Sequence, residues 1–372
     1  MFRLIFSVYL LLFFRFAQGD VLVYFQQIVL GNNVAPLPWV SALLLTFLLT
    51  IVGRVGEQLL KKYTSHHRLA YVFTGWLATA TTSLSFVGIV YQMLLLVFAI
   101  VVGVLFVCIE HSNRIAIQKR KNRFWYHFYP TAMQMLLLCF YVGAGNGVKD
   151  IDHYELQMAQ ALQSAHPKRG YKVGEKSYAT SHRLFAMRCY LLATTHKKGI
   201  GDKLFDQMVP TQGNSETLLL PVDAKQQLLF SVENQNRLLG SVRRSNETAL
   251  QYLRRCAWLS AFSKGNKRTP AIDYYLSALL LDRKLDDFAR EVVRYYPHEV
   301  RQGKLPTYFA QAFVLYQRTR TQPVALYNDS SVEANYQDYS DMGDSIPNRT
   351  MRNNMLRYTY GETYWWWYTY GK

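Results

Sequence analysis

LAYVFTGWLATATTSLSFVGIVYQMLLLVFAIVVGVLFVCI (69–109) holds no Asp, Glu, Lys, Arg or His in its 41 residues. A single membrane-spanning helix needs about 20 apolar residues. The run is too long for one such helix and long enough for two with a tight turn. Lys61, Lys62 and Arg68 precede it; Arg114, Lys119, Arg120, Lys121 and Arg123 follow. The stretch therefore reads as a transmembrane hairpin, Leu69–Phe86 and Ile89–Ile109, turning near Ser85 to Gly88, with both ends on one basic side. The Thr- and Ser-rich first helix (Thr79, Thr81, Thr82, Ser83) suits packing within a bundle, and the Leu-, Val- and Phe-rich second suits lipid.

Upstream, Arg3 followed by the apolar Leu4 to Phe14 resembles a signal peptide, with Ala17-Gln18-Gly19 as a small-residue cleavage site. Arg15 and the continuing apolar Val21 to Leu30 favour an uncleaved, short or tilted first helix leading into an interfacial segment. GNNVAPLP (31–38) is turn chemistry. Val34–Val52 reaches spanning length, with Trp39 suited to the interfacial aromatic belt. Arg54 to Arg68 reads as a basic linker. Downstream, the linker Glu110 to Arg123 leads to a last span, Phe124–Ala144.

Charge sets the expected orientation. Phe16 to Val52 and the hairpin tip carry no Lys or Arg, whereas both linkers are basic. Cytoplasmic linkers place everything after about residue 145 on the far side. This predicts a multi-pass membrane protein with its C-terminal domain outside the cytoplasm, which in a bacterium means the inner (cytoplasmic) membrane with that domain periplasmic.

The chain divides by composition. Residues 1–145 carry 11 Lys and Arg against 3 acids, and residues 146–372 carry 31 against 22, about +8 and +9 of the total +17. The first excess follows the positive-inside rule. For the second, no compact stripe of Lys and Arg marks a nucleic-acid face, so nucleic acid is not expected as a partner.

From Ile151 the apolar period becomes helical. Helices are expected over Ile151–Ala165, Ser181–His196, Ser245–Phe262, Pro270–Leu281, Asp286–Tyr295 and Thr307–Arg318, with Pro and Gly at their ends. Short connectors suggest stacked helical hairpins. A tetratricopeptide-like arrangement is the analogy and a plain, non-repeating helical domain the alternative. Residues 322–350 break the period and read as an extended arm. The expected fold is all-α: a transmembrane bundle of 4–5 spans (1–145), a soluble helical-hairpin domain (146–320), and an irregular arm with an aromatic tail (321–372).

That tail, YTYGETYWWWYTYGK (358–372), holds three Trp and five Tyr. It could pack back onto the helical domain, lie at the membrane interface, or stack on sugar rings. Tyr360, Tyr364, Trp365, Trp366, Trp367 and Tyr368 are the candidate ligand or membrane-interface residues. No metal site or cofactor is expected: adjacent His66 and His67 diverge on a helix, His182 and His196 are too far apart within one, and His153 with Glu155 makes no HExxH pattern. Of the carboxylate pairs Asp150/Asp152, Asp202/Asp206 and Asp286/Asp287, the second has i, i+4 spacing, while Asp286-Asp287 and Asp202 read as acidic helix starts. None is assigned a catalytic role. The expected spans hold no buried acid or base apart from His127 near one end, which argues against an ion pump. Cys189 and Cys256 would be two separate buried thiols, or a disulfide in an oxidising compartment.

HRLFAMRCYLLATTHKKGIGDKLFDQM (182–208), AIDYYLSALLLDRKLDDFAREVVRYYP (271–297), LPTYFAQAFVLYQ (305–317) and YGETYWWWYTY (360–370) together resemble a family of uncharacterised bacterial multi-pass membrane proteins, a domain of unknown function. The resemblance covers most of residues 20–370. It implies membrane helices first and a helical domain second, and supplies no catalytic residues. The expected function is a membrane protein presenting a helical interaction domain outside the cytoplasm. The bilayer, a protein and a glycan are its expected partners. The alternative is an envelope-biogenesis enzyme acting on a lipid-linked or glycan substrate.

Overall fold

A computed structural model describes residues 2–30, 37–62, 70–82, 93, 97, 101, 150–175, 180–206, 209, 213–222, 230–264 and 268–371. Every regular element among them is helical. Two compact units form, residues 1–156 and 157–372.

In the first unit, α1 (Phe2–Leu12) continues through a π-helical turn, Phe13–Ala17. The chain then bends by 72° into α2 (Gly19–Leu30). α3 (Pro38–Leu60) starts on Pro38, whose fixed φ and missing N–H suit a first helical turn. Its 23 residues span about 34 Å. It is the one continuous helix, among the described residues, long and apolar enough to cross a membrane. α4 (Ala70–Thr81) covers the start of the expected hairpin. Helix continuity across Ile89–Ile109 and all of Phe124–Ala144 lie outside the described residues, as do His66, His67 and His127.

α3 starts later and ends later than the span expected at 34–52. It runs eight residues past Val52 and takes in half of the supposed linker, because Arg54 to Leu60 contains no Pro and Glu57 finds partners. Its buried face is Ala42, Thr46, Leu49, Gly53 and Glu57. Leu43, Leu44, Phe47, Leu48, Ile51, Val55 and Leu59 are exposed. Gly53 matters for this packing: a Cβ there would lie 2.8 Å from the Tyr71 ring of α4.

The unit boundary falls inside α5 (Asp150–Gln163). In the second unit come a 3-10 turn (Pro167–Lys172), α6 (His182–Thr195), short 3-10 turns at Ile200–Asp202 and Ser215–Leu218, and α7 (Val232–Leu239). Then follow α8 (Ala249–Lys264), α9 (Pro270–Leu281), α10 (Leu285–Tyr295), α11 (Pro297–Gln302) and α12 (Thr307–Thr319). α6 begins where Ser181 accepts a hydrogen bond from the Leu184 N–H (3.0 Å), an N-cap. α7, not anticipated from sequence, is capped by Ser231 and stopped by Gly240 at φ +79°.

α9 is the hub. Ala271 to Leu281 are all buried, and α6, α7, α8, α10 and both short 3-10 turns pack around it. A helix buried on all sides has to be a core helix or a membrane span, and twelve residues reach only about 18 Å.

Residues 322–350 are not an extended arm. They contain α13 (Ser330–Ser345) and lead into α14 (Arg349–Tyr360) and α15 (Tyr364–Tyr370). The apparent breakers are caps: Asp329 accepts from the N–H groups of Ser331 and Val332, and Asn348 from those of Thr350 and Met351. Val332, Tyr336 and Tyr339 recur at helical spacing and face the core.

Candidate functional site

The aromatic tail docks through α15. Gln311 of α12 holds it with two groups: its Oε1 accepts the Tyr364 N–H (2.8 Å), and its backbone carbonyl accepts the Trp365 indole N–H (2.8 Å). The Trp365 ring lies edge-on to Tyr336, 5.2 Å away. Phe205 packs within 5.4 Å of the rings of Tyr364, Trp367 and Tyr308. Arg283 sits over Trp367 at 4.8 Å and donates to the Gly371 carbonyl (2.9 Å). Tyr364, Trp365 and Trp367 are thus core residues, with no face left for a sugar or a bilayer. Tyr360, Trp366 and Tyr368 stay half-buried. Trp366 stacks on Tyr370 (6.3 Å), donates to Asn353 (3.1 Å), and lies under Arg357. Of the six candidates, only these three keep accessible surface.

The carboxylates serve as caps and cross-links. Asp202 accepts from both the N–H (3.2 Å) and hydroxyl (2.8 Å) of Thr307, fixing the start of α12. Burial pushes its carboxyl up, but these bonds, with Lys198 and His196 nearby, outweigh that and hold it below the usual range. Asp206 accepts from the Tyr308 hydroxyl, so the i, i+4 pair serves two adjacent residues of one helix. Asp286 is clasped by Arg320 through two 2.8 Å bonds, and Asp287 by Arg290. Glu216 receives both terminal nitrogens of Arg243 (2.7 Å each), which lower its carboxyl despite partial burial.

His182 Nε2 lies 2.9 and 2.8 Å from the Glu216 and Leu219 carbonyls, and His196 Nε2 lies 3.8 Å from Asp202. No group of three or more His, Cys, Asp or Glu among the described residues is placed to hold a metal ion. Cys189 and Cys256 are buried and free. Burial pushes both thiols up, Cys256 to about 11, leaving them poor nucleophiles.

Three arrangements escape sequence reasoning. In the first unit, Glu57 is 4% exposed and accepts from Arg3 Nε (3.0 Å) and the Tyr71 hydroxyl (3.0 Å), tying α1, α3 and α4 together. In the second, buried Asp273 accepts from Arg268 Nη2 (3.0 Å) and from Tyr296. Gly199 fits against it at φ +63°, where a Cβ would fall 1.9 Å from Asp273 Oδ2. On the surface of α8, Trp258 and Phe262 are exposed and stacked, 5.8 Å apart at 18°. The partners of Glu57 lie 54 and 14 residues away, so no local signal marks that cluster. The Trp258/Phe262 pair could have been found from its i, i+4 spacing on the polar side of a helix.

Residues 223–371 are similar to a family of unknown function (DUF6057). Three of the four segments behind the family resemblance lie inside this match, and residues 182–208 lie outside it. No curated protein and no solved structure matches the chain.

Proposed function

We propose that the chain is an integral, multi-pass membrane protein of the bacterial cytoplasmic membrane that presents its helical second unit to a protein partner outside the cytoplasm. The observation that carries this reading is the inversion of α3. Small and polar residues (Ala42, Thr46, Gly53) lie inside, while Leu, Phe, Ile and Val point outward. Water penalises such an outer face. A bilayer accepts it, since helices in lipid associate through small and polar residues. The basic residues at the end of α3, Arg54, Lys61 and Lys62, support a cytoplasmic end there. The scaffold reading is favoured over an envelope enzyme because the carboxylates an enzyme would draw on are used to cap and cross-link helices.

Alkaline phosphatase and green fluorescent protein fusions after Lys372 and after Glu110 test the topology. Phosphatase activity after Lys372 with fluorescence after Glu110 is the expected result. Fluorescence after Lys372 overturns the assignment of the helical unit to the far side. Release of the chain from membranes by alkaline carbonate overturns the integral-membrane reading itself.

A further inference from the structure

We propose that the exposed face of α8 seats the helical unit on an anionic lipid surface, with Trp258, Leu259 and Phe262 in the interface. This rests on the membrane reading above. Trp258 is 51% exposed, Leu259 40% and Phe262 82%. These are three large apolar side chains within five residues, whereas the opposite face of α8 (Tyr252, Leu253, Cys256, Ala257) is fully used by the core. The near-parallel stacking of Trp258 on Phe262 makes one flat aromatic ridge. Aromatic rings of this kind favour the headgroup level of a bilayer, where a polar edge and an apolar body are both accommodated.

Charge picks the occupant. From Thr248 to Thr269 the sequence contains Arg254, Arg255, Lys264, Lys267 and Arg268 and no acid. The acids at either border are already matched, Glu247 by Arg255 (2.7 Å) and Asp273 by Arg268 (3.0 Å). Arg254, exposed one helical turn before Trp258, remains as surplus positive charge on this face, and Lys264 and Lys267 follow Phe262 closely in the sequence. Basic residues flanking Trp, Phe and Leu are the composition of a helix face that binds anionic phospholipid. A chain already held by α3 meets the bilayer at high effective concentration, so even a shallow contact is populated.

The test uses the full chain in nanodiscs of phosphatidylcholine with or without phosphatidylglycerol. A nitroxide is attached at Phe262→Cys or, as a reference on α13, at the exposed Asn335→Cys. The unsubstituted chain labelled in parallel supplies the background from its own cysteines. Collision with oxygen relative to a water-soluble nickel chelate reads the depth of each label. The expected result is a lipid-exposed label at 262, deepest with phosphatidylglycerol, and an aqueous label at 335. An aqueous label at 262 in a chain that resists carbonate extraction overturns the lipid seat and leaves the membrane reading intact. Dipolar broadening between labels at 262 places a second copy on this face, and also overturns it. If carbonate releases the chain, the membrane reading fails and vesicle flotation decides the lipid seat. Binding to phosphatidylglycerol vesicles that falls by about tenfold or more in Trp258→Ser/Phe262→Ser sustains it. Absent or unchanged binding overturns it.

Discussion

α3 and α10 share a helical period and have opposite chemistry. In α10 the buried positions are Leu285, Phe288, Ala289, Val292 and Tyr295, and Asp286 and Arg290 face outward. In α3 the buried positions follow similar spacing, but they are Ala42, Thr46, Leu49, Gly53 and Glu57, and the large apolar side chains face outward. α10 packs because burying Leu and Phe removes them from water. α3 cannot gain that way if its surroundings are already apolar, so close backbone approach and hydrogen bonding hold it instead. The comparison teaches that a period locates the contact face, and the residue types on that face reveal the solvent.

The largest expected effect tests this directly. Leu276→Lys buries an unpaired charge at the centre of the second unit and unfolds it, as proteolysis and near-UV circular dichroism would register. Leu44→Lys/Phe47→Lys places two charges on the outward face of α3, at about 5–7 kcal/mol against insertion. That variant loses carbonate resistance while its second unit keeps the parental melting profile. An equal effect on both units would remove the distinction.

Docking of the tail comes next. Trp365→Ala empties a large core site at about 3–5 kcal/mol. Gln311→Ala removes the side-chain acceptor of the Tyr364 N–H and costs about 1–3 kcal/mol. Urea unfolding of the detergent-solubilised chain, monitored on the second unit, reads both. If Trp365→Ala were silent, the tail would not be part of that core.

The polar tie in the first unit is weaker because Arg3 is half-exposed. Arg3→Met leaves Glu57 with only the more distant Lys61 (4.0 Å) as a cation and lowers stability in detergent by about 1–3 kcal/mol. In the Glu57→Gln background the same change costs less, and a double-mutant cycle isolates the coupling.

The smallest effect is with pH. Asp202 and Glu216 have folded-state values below their unfolded ones, so the unfolded chain binds more protons at mildly acidic pH. Their stabilisation is present above the unfolded value and is lost as pH falls through the folded one. The melting temperature of the second unit should therefore drop on acidification below about pH 4.3. It should drop less steeply in Glu216→Gln.

The sequence by itself determined that the fold is all-α and where many helices begin and end. Pro270 opens one helix and Pro297 marks the end of another, because these signals are local and depend only on backbone chemistry and periodicity. It misread 322–350, where polar residues that look like breakers are caps and where three aromatic or apolar positions suffice for a helix with a core beside it. Only the tertiary structure decided what the polar and aromatic groups do. Glu57 finds Arg3, Asp202 finds Thr307 and the tail finds Gln311 across 54, 105 and 53 residues. A side chain's role there depends on the neighbour that folding brings to it, and that neighbour leaves no mark in the local sequence.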